Sequence, residues 1–201
     1  MTKKLIILLD PAHGKDVSGK CSPDGKHREY KWSRDRVTSL TKKLRLLGYD
    51  VYVTTDSENE PGLSVRRDFA STLRRGERKL LLSLHNNAAG DGRVWKDASG
   101  VEVFTSPGVT DSDICADYII RQFQKDFPGV KFRLNEDKYL SRDKEASFTV
   151  LMGGGYMGVL IEWMFQDNKK DVEVLSNQTA NNRFEESLVA AIEEINDHFD
   201  E

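Results

Sequence analysis

The stretch GVLIEWMF, residues 158–165, decides the fold. Val159, Leu160 and Ile161 lead into Trp163, Met164 and Phe165, and one glutamate, Glu162, stands among them. An apolar run of this length and composition reads as a central strand buried on both faces, as strands of parallel sheets are. A carboxylate placed there is costly unless it is paired or takes up a proton. Glu162 therefore requires a compensating partner, and the rest of the chain has to supply it.

Three further apolar runs read as central strands: KLIILLD (4–10), DVYVTTD (50–56) and KLLLSLH (79–85); GVEVFTS (100–106) adds another. Helical periodicity lies between them. Val37, Leu40, Leu44 and Leu47 recur at three- and four-residue steps in 29–47, before Gly48. Similar spacing predicts helices over 63–73, about 112–127, and about 181–199. Residues 14–27 and 86–99 read as loops, and 131–147 as a charged segment with short structure at most. Strands alternating with helices predict an α/β fold: a central, mostly parallel (mixed) sheet with helices on both faces. No repeat or linker interrupts the pattern, so residues 1–201 are expected to form a single domain.

Of the 201 residues, 38% are hydrophobic and 31% charged, and the formal net charge is −3. A chain of this size buries a proper core. The charge balance supplies no general basic field, so no nucleic-acid partner is expected. No apolar segment reaches the ~20 residues of a membrane span. MTKKLIILLD has the basic start of an export signal, but its apolar run is short. Asp10, Pro11 and His13 follow instead of a small-residue cleavage site, so the reading is a first strand without an export signal. Cys21 and Cys115 offer no disulfide framework and no metal spacing, and both read as free thiols.

Open parallel sheets bind ligands beyond the carboxyl ends of their strands. His13 follows the first strand in DPAHG, and His85 ends the third in SLHNN. Singly, each histidine reads as a hydrogen-bonded structural residue, and Glu29 as a carboxylate complementing a helix dipole. One hypothesis accounts for all of them with Glu162. His13, Glu29 and His85 form a donor set for one zinc ion with a fourth position open, as in catalytic sites. Glu162 then projects toward that position as the base of a metal-assisted hydrolysis. The same donors accept other divalent ions.

The motifs carry a resemblance. In order along nearly the whole chain, they resemble the zinc-dependent N-acetylmuramoyl-L-alanine amidases of the amidase-3 type. LLDPAHG resembles the family's first strand and its Asp-x-Gly-His-Gly turn, which implies His13 as first ligand; Glu29 matches the glutamate ligand. GLSVRRDFA is similar to the Leu-x-x-Arg-x-x-x-Ala helix at Leu63, Arg66 and Ala70. LLSLHNNA matches the Ser-x-His-x-Asn-Ala strand, implying His85 as third ligand with Asn87 nearby, and GVEVF is similar to the Gly-x-Glu strand. GVLIEWMFQDNKKDVEVL resembles the segment that bears the catalytic base, implying Glu162.

The chain departs from that pattern in several places. Ala12 stands where the family has glycine, so its backbone must avoid strongly positive φ. Cys21 and His27 lie outside the pattern, and His27, two residues before Glu29, is a rival ligand. Trp163 replaces a glycine, and with Gly153-Gly154-Gly155 it stands to reshape the substrate groove. Asp10 is a candidate to orient His13 through the other ring N–H, with turn capping as the plain alternative. Arg66 and Arg142 are candidates for carboxylates on a substrate peptide, against a reading as solvated surface residues.

The resemblance implies hydrolysis of the amide between the lactyl group of N-acetylmuramic acid and L-alanine in peptidoglycan. The residues alone support metal-assisted amide hydrolysis. Without an export signal or a wall-binding repeat, the expectation is a phage-type endolysin, made in the cytoplasm and acting on the cell wall as a monomer. A bacterial wall amidase whose signal lies outside this sequence fits equally. Two other readings stand beside it: another zinc amidohydrolase or carboxypeptidase on the same sheet, and a non-catalytic peptidoglycan-binding module.

Overall fold

In the computed structural model, residues 4–135 and 142–200 are described. Six strands appear in chain order: β1 (Ile6–Pro11), β2 (Val51–Val53), β3 (Lys79–Asn87), β4 (Val101–Thr105), β5 (Lys144–Glu145) and β6 (Met157–Phe165). They build one sheet in the order β2-β1-β3-β6-β4-β5. The pairs β1–β2, β1–β3 and β3–β6 are parallel, β4 runs antiparallel to β6, and β5 pairs parallel with β4. The helices are α1 (Glu29–Leu46), α2 (Leu63–Thr72), α3 (Asp111–Asp126), α4 (Lys169–Ser176) and α5 (Gln178–Asp200). The expected mixed α/β sheet is what the chain forms.

Alternation of side chains gives the sheet two unlike faces. Ile7 and Leu9, Leu80, Leu82 and Leu84, and Val159, Ile161 and Trp163 point to one side. There they pack with Leu40 and Leu44 of α1, Ile120 and Phe123 of α3, and Phe184, Leu188 and Ile192 of α5. On the other side Leu8, Leu81 and Leu160 meet Ala70 of α2 and Val150 and Leu151, which belong to a 3₁₀ turn at Thr149–Leu151. This second layer is small. Two residues further along each strand, the same face carries Asp10, Ser83 and Glu162, with His85 two residues beyond Ser83. A polar site therefore sits at the strand ends that the second layer leaves uncovered.

Two expectations change. DVYVTTD yields only the three residues of β2; just beyond them Thr54 N still donates to Leu9 O at 3.0 Å, and the Thr54 hydroxyl hydrogen-bonds Asp10. Helix α4 was not anticipated: Asn168 caps it, accepting from Lys170 N at 3.0 Å and Asp171 N at 3.2 Å. Part of the charged segment 131–147, residues 136–141, lies outside the described residues.

Candidate active site

The turn after β1 is bound from several sides. Ser33 Oγ accepts from Ala12 N at 2.8 Å, and Arg34 donates to the carbonyls of Ala12 at 3.0 Å and His13 at 2.7 Å. His13 takes φ +43°, while Ala12 is not among the left-handed residues, so alanine at 12 meets no penalty. Gly14 admits no side chain, because a Cβ there would lie 2.0 Å from Glu60 N.

The end of β6 is shaped by a bulge. His85 pairs with Glu162, but the next pairing is Asn87 with Phe165, so Trp163 and Met164 oppose Asn86 alone. Met164 absorbs the irregularity at φ +62°. Bulges recur beside active sites because they re-aim side chains and end pairing. Asn86 stitches this one by donating to Trp163 O at 2.8 Å.

Three predicted residues converge. One ligand atom each from His13, Glu29 and His85 lies within 4.8 Å of the others, and the two imidazole centroids are 5.0 Å apart at 88°. Glu29 Oε1 is 3.0 Å from His85 Nδ1 and 3.5 Å from His13 Nε2. Donors around a tetrahedral zinc sit roughly 3.4 Å apart, given bonds of about 2.1 Å. The set fits such an ion in both spacing and chemistry. Glu29 itself is buried and firmly held: Oε1 accepts from Asn86 N at 3.1 Å, and Oε2 from Gln166 Nε2 at 2.8 Å.

Glu162 lines a cavity of about 190 Å³ together with His13 and His85. Its Oε2 is shielded from solvent and has no hydrogen-bond partner among the described residues. Burial pushes its carboxyl up to about 7. His13 is held down to about 4, chiefly by burial, so it is neutral at pH 7 and able to ligate. Burial is the largest influence on Glu29 and on His85 and opposes charge on both, but their mutual hydrogen bond and the surrounding opposite charges together outweigh it, lowering the first and raising the second.

Several roles expected around this set are filled differently. Asp10 does not reach His13. Its carboxylate accepts from Thr54, from Ser83 Oγ at 2.6 Å and from Arg66 at 3.1 Å. Arg66 is no surface residue: it is buried, bonds the carbonyl of Pro11, and also pairs with Glu60 at 3.1 Å. Arg142 turns to Gln124 and Asp117 on α3. His27 stands outside the donor set, with Nε2 2.8 Å from Asn86 Oδ1, and so buttresses the residue that bonds Glu29. Cys21 is likewise outside. Trp163 is 1% exposed among Phe123, Phe127 and Phe184, on the face opposite the site, and does not shape the groove. Gly153 to Gly155 enter β6 at its far end.

Asn87 donates to Glu102 at 2.8 Å, and Glu102 lies directly across from Glu162 on β4. Arg133 at 2.8 Å and Lys144 at 2.7 Å neutralise Glu102, so two facing carboxylates are tolerated. Sequence reasoning gave Glu102 and Gln166 no role. The period-two placement of Glu102 in GVEVF was the available signal; Gln166 had none, since only the bulge brings it back to Glu29.

A family model for N-acetylmuramoyl-L-alanine amidase, Amidase_3, matches residues 7–194. The chain belongs to the amidase-3 family. Solved structures agree in fold. The N-acetylmuramoyl-L-alanine amidase from Clostridium difficile 630 superposes with a TM-score of 0.81 at 21% identity, covering 96% of each chain. AmiC2 of Nostoc punctiforme gives 0.79 at 20%, covering 96% of this chain and 98% of the other. The catalytic domain of CwlV from Bacillus (Paenibacillus) polymyxa var. colistinus gives 0.78 at 19%, covering 94% and 97%. Comparison with curated proteins gives no match. No helix among the described residues of this amidase is long and apolar enough to cross a membrane.

Proposed function

We propose that this amidase-3 chain hydrolyses the amide joining the lactyl group of N-acetylmuramic acid to L-alanine in peptidoglycan. In this reading His13, Glu29 and His85 hold a zinc ion, Glu162 is the general base, and residues 1–201 act as one catalytic domain at the cell wall. Zinc in such a set supplies Lewis-acid polarisation of an amide carbonyl and lowers the pKa of bound water toward ~7. The chain's own contribution centres on Glu162. Its partnerless Oε2, buried beside three converging donors, is the observation that supports the reading most strongly. A carboxylate raised toward neutrality both accepts a proton from an attacking water and returns it to the leaving nitrogen.

The remaining residues orient and exclude. Asn86 and Gln166 fix the Glu29 carboxylate, and His27 fixes Asn86. Leu63, Phe148 and Val150 wall the cavity with apolar surface, suited to the methyl groups of lactyl and alanyl units. The test is product analysis on purified peptidoglycan, with and without chelator, beside Glu162→Gln. New L-alanine amino termini on intact glycan are expected, lost with chelator and reduced roughly 10²–10⁴-fold in Glu162→Gln. Release of a terminal amino acid would favour a carboxypeptidase. A folded, zinc-loaded protein that binds wall without cutting would favour a binding module.

A further inference from the structure

A substrate peptide that carries a carboxylate needs a cation to meet it, and both arginines considered for that task are engaged within the protein. Arg66 belongs to Asp10 and Glu60, and Arg142 to Asp117 and Gln124. Of the Lys and Arg side chains lining the Glu162 cavity, Lys20 is left. It is half-buried, and among the described residues its ammonium makes no hydrogen bond or ion pair.

Lys20 does not sit on a loose loop. Its carbonyl accepts from Glu29 N at 3.2 Å, Cys21 bridges Arg28, and Ser22 N donates to His27 O at 3.0 Å. From outside, the loop around residue 92 presses on it. A Cβ at Gly92 would lie 2.7 Å from Gly19 O and 3.2 Å from Cys21 O, so the two backbones rest in direct contact. Buried Asp167 anchors that second loop, accepting from Ala89 N at 2.9 Å and Gly90 N at 2.8 Å. The backbone bearing Lys20 is thus clamped between Glu29 and residues 88–92. Its charge is felt at His13, Glu29 and Glu162 alike.

We propose that Lys20 is a specificity-determining residue whose ammonium receives a carboxylate of the peptide stem beyond the scissile amide. The proposal rests on the amidase reading above. An ammonium is a compact point charge that selects anions. In a partly enclosed cavity such a pair gains more than it does on an open surface. The apolar walls supply contact without reading charge, which leaves that discrimination to Lys20. Amidation of the stem carboxyl removes the group it recognises.

The experiment uses two N-acetylmuramoyl peptides that differ only at the α-carboxyl of the second stem residue, free in one and amidated in the other. Zinc-loaded wild type is expected to favour the free acid by about tenfold or more in kcat/KM. Lys20→Met should erase that preference by lowering kcat/KM on the free acid at least about tenfold more than on the amidated peptide; Lys20→Arg should keep most of the preference. Equal losses on both peptides would place Lys20 at the reacting amide or in folding, and an unchanged preference would remove it from recognition. Either result overturns the proposal. Binding separates this from the amidase reading. In Glu162→Gln protein, a Kd gap between the peptides that disappears when Lys20→Met is added supports Lys20 even without turnover. Equal Kd values overturn it even if hydrolysis proceeds.

Discussion

His85 on β3 and Glu162 on β6 stand opposite one another on adjacent parallel strands, and the ladder breaks immediately after them. That pairing puts a metal-type donor and a shielded carboxylate on the same sheet face, at the one end where no second layer covers them. It explains how an otherwise apolar strand carries Glu162. The carboxylate costs stability in the folded chain, as expected of a buried group retained for the proposed role of general base.

The first prediction follows from the sign of that cost. Glu162 has its carboxyl raised from 4.5 to about 7 by burial, so the folded chain holds this proton more tightly than the unfolded chain. The resulting stability is fully present below pH 4.5 and is lost as pH rises through 7. In chelator, Glu162→Gln should therefore unfold later than wild type at pH 8, by at most about 3 kcal/mol, and show no such advantage at pH 4.5. Thermal melts at the two pH values check this. A wild type that gains on the variant as pH rises would contradict it.

Gln166 holds the second oxygen of Glu29 from the far side of the bulge. Gln166→Leu should leave the fold intact and weaken metal affinity by about 10- to 100-fold, as loss of an outer partner does. Competition with a chromogenic chelator reads this directly. Unchanged affinity would mean that Asn86 N suffices to orient the carboxylate.

Arg66 and Asp10 form a buried ion pair, each 2% exposed. Arg66→Met leaves Asp10 charged and short of a partner, and should destabilise by about 3–5 kcal/mol in denaturant titration. If Arg66 instead met substrate, the variant would retain stability and raise KM.

Trp163 separates core from groove in the same manner. Trp163→Ala opens a cavity among Phe123, Phe127 and Phe184 and should cost about 3–5 kcal/mol. Ratios of kcat/KM between substrates should stay as in wild type. A change in those ratios at full stability would return Trp163 to the groove.

The sheet was legible because its strands are near-continuous apolar runs and its long helices keep a clean three- and four-residue spacing. The convergence of His13, Glu29 and His85 was legible because they stand at element ends in a recognisable order. What escaped depends on exact side-chain direction. Arg66 looked like a surface residue because its helix is short and charged, yet it turns inward to Asp10. Trp163 looked like a groove residue because alternation alone does not reveal which face the large core takes. Asp10 looked like a partner for His13 from its spacing, but Thr54 and Ser83 arrive from neighbouring strands and occupy it. Gln166 required the bulge, and no local pattern announces a single inserted residue.

Metal stoichiometry, measured by plasma emission on protein dialysed against trace zinc, bears most directly on the whole account. Wild type should retain about one zinc per chain, and His13→Ala and His85→Ala each well under a tenth of that, with folded circular dichroism spectra in all three. A wild type that takes up no zinc, or variants that keep a full equivalent, would contradict the assignment of these residues to a single ion.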